Sequence, residues 1–213
     1  MEVNLVSITH PRINNIDTPE DLIAYCARVS NPSNQLNTST APKLLGYLIK
    51  HKHWSPFEMV DMCVEIKTSR AIAAQILRHR SFSFQEFSQR YSNITSFESI
   101  EWRLQGKTNR QVGETSHKLD KEHQGAIDDY IKTAGLIYNS LIDKGVAKEC
   151  ARMVLPLCTE TTMYMKGSIR SWIHYIDLRS KEDTQKEHRD IALKCKDIFV
   201  NNFPNTSKAL EWE

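Results

Sequence analysis

The sequence predicts an α+β fold, a single domain in which a small, largely antiparallel sheet in the N-terminal half packs with long helices. Short segments with apolar residues at alternate positions occur in the first half, whereas long segments of the second half have helical spacing. The chain has 213 residues and 40% hydrophobic content, which suffices for one sizeable core. Residues 1–213 are therefore expected to form one domain.

The first half predicts two strands and three helices. Residues 1–8 carry apolar side chains at nearly alternate positions and predict a strand. Thr18, followed by a proline and two acids, is a typical cap for a first helix. Residues 44–49 place their apolar side chains on one face of a second helix. Residues 60–66 alternate between apolar and mostly polar side chains, which predicts a strand with one wet face. Residues 68–77 then predict a helix that begins at hydroxyl side chains.

The second half is expected to be mostly helical. After a strand over residues 96–104, the spacing predicts four helices, over residues 116–144, 146–155, 160–178 and 182–203. The first of these ends at Gly145, a typical helix terminator. The second ends before Pro156, because a proline disfavours helical geometry in the residue that precedes it.

Charge and hydropathy exclude several classes of protein. The 28 basic and 26 acidic residues give a net charge of +2, too balanced for a protein that coats nucleic acid. No apolar run approaches the roughly 20 residues of a membrane span, and no signal-like segment opens the chain. We therefore expect no nucleic-acid partner, no membrane contact and a cytoplasmic location.

The spacing of cysteines and glycines bears on which metal, disulfide and nucleotide-binding sites the chain can form. The five cysteines include no Cys-x-x-Cys pair, so neither a disulfide framework nor a metal site is predicted. Cys158 is better interpreted as a buried free thiol than as a nucleophile. The seven glycines form neither G-x-G-x-x-G nor a Walker A loop. A dinucleotide would have to be held by arginine side chains instead.

Residues 78–91 concentrate cationic side chains. This segment holds Arg78, His79, Arg80 and Arg90. Guanidinium groups are planar, permanently charged forks that grip phosphate bidentately. Taken alone, Arg-His-Arg is equally compatible with a basic tripeptide on the surface.

The spacing after this tripeptide makes it more specific. Seven residues separate it from Ser88, an arrangement that resembles the signature of the flavin-dependent thymidylate synthases. Other segments also resemble this family, and all of them occur in the family's order. They are His53-Trp54-Ser55-Pro56-Phe57-Glu58, Ala151-Arg152-Met153-Val154-Leu155-Pro156, Leu178-Arg179 and Thr184-Gln185-Lys186-Glu187. The resemblance extends from about residue 28 to residue 187.

The resemblance implies an activity, cofactors and an assembly. It implies the conversion of dUMP to dTMP, with 5,10-methylenetetrahydrofolate as the one-carbon donor and FAD passing a hydride from NADPH. It also implies a homotetramer whose sites are shared between subunits. In such an enzyme flavin and folate carry the difficult chemistry, and the protein positions them and stabilises charge.

The resemblance also assigns residues to roles. Flavin binding is expected of Ser30, His53, Ser55, Glu58, Arg78, His79, Arg80, Gln85, Glu86, Ser168, Arg170 and His174. Binding of dUMP is expected of Gln75, Arg78, Glu86, Ser88, Gln89, Arg90, Arg152 and Arg179. Catalytic roles are expected of His53, Ser88 and Arg179, the last as the group that activates uracil. The sequence departs from residues common in the family at Gln85, Gln89, Ser168 and His174.

Two arginines stand out on physical grounds alone. Arg152 interrupts an apolar run, and Arg179 continues the apolar face of a predicted helix. A guanidinium that is removed from water needs an acceptor, because leaving it unpaired costs several kcal/mol. The acceptor is either a carboxylate of the protein or a ligand. Arg179 is also compatible with a side chain that reaches past the helix end into water.

Two other classes of protein remain open. A serine-nucleophile enzyme would use Ser88 activated by His79, but there is no G-x-S-x-G elbow and no acid clearly placed to orient the histidine. A non-catalytic nucleotide- or RNA-binding module would use the arginines and aromatic side chains of residues 78–91. The phenylalanines of that segment also fit a core. Visible absorption of the purified protein distinguishes such a module from a flavoenzyme.

Overall fold

The computed structural model describes residues 1–91, 96–107, 109 and 112–212. In this part of the chain the strands are β1 (Glu2–Ile8), β2 (Asp61–Ser69), β3 (Ser83–Glu86), β4 (Arg103–Gln105), β5 (Gly113–Ser116) and β6 (Glu160–Ser168). The main sheet has the order β1-β2-β6-β3, with every neighbouring pair antiparallel. β4 and β5 form a separate antiparallel pair.

The described part of the chain also contains α-helices and short 3-10 helices. The described α-helices are α1 (Pro19–Ala27), α2 (Ala41–Lys50), α3 (Arg70–Ile76), α4 (Lys121–Asp143), α5 (Lys148–Ala151), α6 (Ile169–Arg179), α7 (Lys186–Asn202) and α8 (Pro204–Ala209). Short 3-10 helices occur at Pro32–Asn34, Ser55–Glu58 and Arg152–Val154. None of the described helices combines the length and the apolar character that crossing a membrane requires.

The central strands β2 and β6 lead directly into two helices. They pair without interruption, from Asp61 opposite Ser168 to Ser69 opposite Glu160. α3 starts directly after β2 and α6 directly after β6, so the two helices leave the sheet at opposite ends. The Ser168 hydroxyl caps α6 by accepting a hydrogen bond from the Ser171 backbone N–H at 3.3 Å.

The hydrophobic core joins one face of the main sheet to α3, α6 and α7. Met62, Val64 and Ile66 of β2 are fully buried, as the alternating pattern predicts. Trp172 of α6 is also fully buried, and its indole Nε1 donates to the Met62 carbonyl at 2.9 Å. This bond holds α6 against the centre of the sheet.

The predicted α+β class is confirmed. The first five elements, from β1 to α3, lie where the sequence predicts them. The Thr18 hydroxyl accepts from the Asp21 backbone N–H at 3.0 Å, which confirms it as the cap of α1.

The helix predicted over residues 160–178 is wrong in its first half. Residues 160–168 form β6, and the helix begins only at Ile169. Thr161, Met163 and Met165 are buried and alternate with more exposed neighbours, so this stretch has a period of two. Pairing with β2 and β3 on either side satisfies its backbone. The sheet therefore takes one strand from the second half of the chain.

Other predicted boundaries in the second half also differ. The strand predicted over residues 96–104 is reduced to β4 and one isolated bridge. The helix predicted over residues 116–144 begins only at α4, because its first residues belong to β5 and the segment after it. The helix predicted over residues 146–155 is divided into α5 and a 3-10 turn. The last long helix starts at Lys186 rather than at residue 182.

Candidate active site

The Arg-His-Arg segment forms the turn between α3 and β3. Phe82 anchors this turn, because it is buried and its ring lies 4.8 Å from that of Trp172, edge to face. A Cβ atom on Gly167 of β6 would lie 2.5 Å from the Phe82 ring, so only glycine admits this close approach. Arg78 and Arg80 remain exposed. The turn is thus fixed on its inner side and cationic on its outer side.

Arg179, the last residue of α6, contacts the same turn. Its Nε donates a hydrogen bond to His79 Nε2 at 3.0 Å. Because a guanidinium only donates, this ring nitrogen must accept, and His79 is neutral. Burial, followed by the positive charge of Arg179, lowers the pKa of His79 to about 4. The terminal nitrogens of the Arg179 guanidinium have no partner among the described residues.

A second histidine lies beneath the first. His188 of α7 is fully buried, and its ring centroid lies 6.0 Å from that of His79. Its Nε2 lies 3.2 Å from the Tyr175 hydroxyl. Burial, and then the charge of Arg179, lowers the pKa of His188 to about 4. Arg179 is therefore the only cation among these four side chains at neutral pH.

The two neutral histidines predict a loss of stability in acid. Their pKa of about 4 in the folded protein lies below the value of about 6.5 in an unfolded chain. Below about pH 6.5 the unfolded chain therefore binds more protons than the folded one. Above that pH, we expect these two histidines to make no pH-dependent contribution to the free energy of unfolding. As the pH falls toward 4, buried His188 alone should lower it by about 1.4 kcal/mol per pH unit. Urea unfolding at about pH 7 and about pH 5 measures this slope.

Two variants test the assignment of this slope. His188→Gln is expected to flatten it, because the buried titrating group is gone. His117→Gln replaces an exposed histidine and is expected to leave the slope as it is. A slope that is unchanged in His188→Gln would contradict the prediction.

Arg179 lines a cavity of about 660 Å³, which we call the Arg179 cavity. The other lining residues are Gln75, Arg78, Asp183, Thr184 and Gln185. Three residues predicted to bind the substrate, Gln75, Arg78 and Arg179, thus come together at the C-terminal ends of α3 and α6. The volume is typical of a small-molecule site.

Arg152 lines a smaller cavity of about 310 Å³, which we call the Arg152 cavity. Gln89 and Arg70 also line it, together with residues 153, 155–157 and 159. Arg152 has no carboxylate partner in the described part of the chain. The Gln89 side chain is buried, and its Nε2 has no hydrogen-bond partner among the described residues. An unpaired buried donor beside a guanidinium favours a ligand rich in acceptors.

Glu86 is tied to Arg70, a residue that the sequence reading overlooked. The Glu86 carboxylate accepts from the Arg70 guanidinium at 2.8 Å and from the Thr161 hydroxyl at 3.0 Å. Arg70 is the first residue of α3, and its bond to Glu86 holds its side chain at the border of the Arg152 cavity. The start of a predicted helix gave no sign of a partner sixteen residues later.

Ser88 does not have the surroundings of a nucleophile. Its hydroxyl accepts a long hydrogen bond, 3.4 Å, from the Arg90 backbone N–H. His79 already uses Nε2 to accept from Arg179, so that nitrogen is not free to take a proton from serine. Arg90 is exposed, with its guanidinium carbon 5.9 Å from the centroid of the Tyr91 ring. The geometry therefore disfavours the serine-nucleophile alternative.

A third cavity, of about 570 Å³, brings together four residues predicted to bind flavin. These are Glu58, Ser168, Arg170 and His174. We call this cavity the Glu58 cavity. Arg170 and Glu58, which both line it, form an ion pair. His174 packs on Trp54, with 5.1 Å between the two ring centroids. The turn at Ser55–Glu58 and the first turns of α6 thus form one wall.

The remaining predicted flavin residues do not line the Glu58 cavity. Arg80 is exposed and has no hydrogen-bond or ion-pair partner in the described part of the chain. His53 is exposed, with its ring centroid 6.1 Å from that of Tyr47, and it does not line the Arg179 cavity either. The other outlying residues, Ser30, Ser55 and Gln85, are exposed as well.

The described residues include no group of three His, Cys, Asp or Glu side chains that could hold a metal ion. All five cysteines are free thiols. Burial raises the pKa of four of them, Cys26, Cys63, Cys158 and Cys195. These four are therefore protonated at neutral pH and poor nucleophiles.

The fold and the cavities first define a class of protein: an α+β protein with cavities of small-molecule size. Three arginines that line them, Arg78, Arg152 and Arg179, have no carboxylate partner among the described residues. The model of the family described as thymidylate synthase complementing protein matches residues 13–205. A probable flavin-dependent thymidylate synthase of Paramecium bursaria Chlorella virus 1 is 51% identical over 216 residues, covering both chains fully. The flavin-dependent thymidylate synthase of a Synechocystis species is 52% identical over 221 residues, again at full coverage of both chains.

Solved structures agree on the fold. The UMP/dUMP methylase PolB of Streptomyces cacaoi, bound with 5-Br dUMP, superposes with a TM-score of 0.81 at 24% identity. The match covers 99% of this chain and 94% of PolB. The chain belongs to the flavin-dependent thymidylate synthases.

Proposed function

We propose that this protein converts dUMP to dTMP, with 5,10-methylenetetrahydrofolate as the one-carbon donor and NADPH as the hydride source, by way of FAD. Membership of the family supports thymidylate synthesis and flavin dependence. The observation that carries the proposal is the placement of Arg179. Neutral His79 holds its Nε, and the rest of its guanidinium borders a cavity shared with Gln75 and Arg78.

In this proposal Arg179 activates the uracil ring. No cysteine is among the described residues that line the Arg179 cavity, so in this proposal uracil C5 becomes electron-rich by polarisation rather than by addition of a thiolate. That requires a fixed positive charge beside N3 and its flanking carbonyl oxygens, where negative charge develops. Arg179 meets the requirement, because its hydrogen bond to His79 and its half-buried position restrict its motion. The proposed phosphate ligands are Arg78, Arg90 and Arg152, none of which has a carboxylate partner among the described residues.

The donor groups present fit a flavin dinucleotide. Arg78 and Arg80 are exposed and unpaired in the described part of the chain, as binding of a pyrophosphate without a glycine loop requires. The Glu58 cavity adds Ser168, Arg170 and His174 as polar contacts. FAD, when bound, supplies the hydride transfer. The residues of this chain hold and orient it.

We include a homotetramer with shared sites in the proposal. Five of the eight predicted nucleotide residues line two cavities that have no lining residue in common: Gln75, Arg78 and Arg179 line the Arg179 cavity, and Gln89 and Arg152 line the Arg152 cavity. A neighbouring subunit that brings its Arg152 cavity to the Arg179 cavity would complete one dUMP site. Co-expression of Arg152→Ala with Arg179→Ala tests this. Hybrid tetramers should regain turnover that each variant lacks alone, and no regain would contradict sharing between these two residues.

The first test of the function uses the purified protein with added FAD. Flavin absorption bands, and dTMP formation that requires dUMP, methylenetetrahydrofolate and NADPH together, are the expected results. A folded sample that binds RNA but retains no flavin would favour the non-catalytic module instead. A cytoplasmic location, without nucleic-acid or membrane partners, belongs to the same proposal.

The free cysteines give a further prediction. Cys158→Ser is expected to leave turnover unchanged, because the thiol is protonated and the Arg-His-Arg turn contains no cysteine. Mass spectrometry of the protein quenched during turnover should find no dUMP adduct on any cysteine. A trapped adduct, or a loss of turnover in Cys158→Ser that exceeds its loss of folded protein, would overturn this part of the mechanism.

A further inference from the structure

A chain of hydrogen bonds leads from β4 into the Arg179 cavity. Arg103 of β4 forms an ion pair with Glu187 of α7. The other Glu187 oxygen accepts from Gln185 Nε2 at 2.9 Å. Gln185 Oε1 accepts from Gln75 Nε2 at 2.6 Å. Gln75 and Gln185 line the cavity, whereas the Arg103 and Glu187 side chains are only 12% and 20% exposed.

The ion pair of Arg103 and Glu187 fixes the donor and the acceptor of every hydrogen bond in this series. Arg103 only donates and the Glu187 carboxylate only accepts, so the Gln185 atom that faces Glu187 must be its NH₂ group. Gln185 then presents its carbonyl oxygen to Gln75, and the Gln75 atom that faces it must also be NH₂. The Gln75 amide is then left with its carbonyl oxygen, Oε1, and with the second hydrogen of its NH₂ group. This orientation follows from the two charges alone.

Glu187 keeps its charge at neutral pH. Burial raises the pKa of this carboxyl, but the hydrogen bonds from Arg103 and Gln185 outweigh it, and the pKa lies below its ordinary value. In the folded protein near neutral pH, the hydrogen bonds between Gln75, Gln185 and Glu187 therefore keep a single direction from donor to acceptor. Gln75 Oε1 has no partner among the described residues.

We propose that Glu187 is a positioning residue that, through Gln185, makes Gln75 present a hydrogen-bond acceptor to the nucleotide in the Arg179 cavity. The inference rests on the proposed function, since it takes the ligand to be a uracil nucleotide. The cavity guanidiniums of Arg78 and Arg179 only donate, so neither recognises a donor group of the ligand. Gln75 Oε1 supplies an acceptor for one such group, a ribose hydroxyl or the imide N–H of uracil, in a cavity whose other side-chain acceptors are on Asp183 and Thr184.

One substitution should reverse the donor and acceptor roles along this series of hydrogen bonds. In Glu187→Gln the new amide must turn its oxygen to Arg103, because Arg103 only donates. Its NH₂ group then faces Gln185, which turns its own carbonyl to meet it. Gln185 donates to Gln75, and Gln75 now presents NH₂ to the ligand. The side-chain volume at position 187 is conserved, whereas the group that Gln75 presents to the ligand changes from a hydrogen-bond acceptor to a donor.

Calorimetric titration of the flavin-loaded protein tests this with three nucleotides. They are dUMP, dCMP and the analogue of dUMP with a 3′-amino group, titrated at about pH 6.5, where such an amine is an ammonium that only donates. If Gln75 meets the ribose hydroxyl, Glu187→Gln should keep its affinity for dUMP and lose roughly 10-fold for the amino analogue. If Gln75 meets the imide, Glu187→Gln should lose roughly 10-fold for both and gain affinity for dCMP, whose ring nitrogen accepts.

The control is Glu182→Gln, which removes the same charge from an exposed position and should leave all three affinities as in the wild type. Unchanged affinity ratios in Glu187→Gln would overturn the proposal, even if its melting temperature fell, because that pattern marks a purely structural role. Neutron diffraction of the ligand-free wild type gives a readout that does not depend on dUMP. Deuterons on the Gln75 side-chain atom that does not face Gln185 would overturn the proposal. Failure of the wild type to bind dUMP, with the amides oriented as stated, would instead count against the proposed function.

Discussion

Replacing Arg179 by alanine is expected to lower turnover by about 100-fold or more, corresponding to about 3 kcal/mol of transition-state stabilisation. The reason is the position of this cation, which lines the cavity and is held at Nε by His79. Its terminal nitrogens have no partner among the residues that the structure describes. A fixed charge aimed at developing negative charge is typically the largest single catalytic contribution. Flavin content should change little, because Arg179 lines the cavity assigned to dUMP and is not among the predicted flavin residues. Turnover per folded molecule and flavin absorption of the variant measure both effects.

Lysine is not expected to rescue the activity. Arg179 uses Nε for His79 and keeps two further nitrogens for the ligand, whereas lysine offers one ammonium for both tasks. The alternative is that Arg179 serves only to hold the helix end in place, which predicts a lower melting temperature with near-normal turnover. Its partner in the structure is a neutral histidine rather than a carboxylate, so no ion pair with a described residue is lost in the variant. The control Lys181→Ala removes an exposed cation two residues further on and should leave turnover unchanged. Normal turnover in either Arg179 variant would remove this residue from the mechanism.

The fold was predictable where its signals are local. β2 and the apolar face of α6 follow from spacing within a few residues, and burial of Met62, Val64 and Trp172 confirms those patterns. β6 was missed because its residues are compatible with either period, and its partner strand lies about a hundred residues earlier. Pairing with a distant strand is decided by tertiary structure, which a local pattern does not contain.

The site was predictable as a set of residue types rather than as a set of contacts. The sequence singled out Arg179 and Gln75, but their partners His79 and Gln185 are 100 and 110 residues away in the chain. The segment at residues 184–187 was noted as a resemblance without a role, although it carries the chain of bonds to Gln75. His188 went unnoticed, because a lone histidine within a helical pattern does not reveal what it packs against.

Replacing Arg80 by alanine is expected to release flavin while the helical circular dichroism stays intact. A dinucleotide carries a pyrophosphate, and this chain has no glycine loop to bind it with backbone N–H groups. Arg80 is exposed and has no partner in the described part of the chain, so its removal breaks no contact of the folded protein. The expected loss is one charge-assisted phosphate contact of roughly 1.5–3 kcal/mol, or roughly 10- to 100-fold in flavin affinity.

Two comparisons make the Arg80 test specific. Arg12→Ala removes an equally exposed arginine that lies outside the Arg-His-Arg turn, and it should retain flavin at the wild-type level. Because Arg80 does not line the Arg179 cavity, the loss in Arg80→Ala should be recovered when FAD is added in excess, with turnover returning toward the wild-type value. Arg179→Ala has no such recovery, since its defect lies in the chemical step. Equal FAD affinity in Arg80→Ala, Arg12→Ala and the wild type would show that Arg80 does not hold the pyrophosphate.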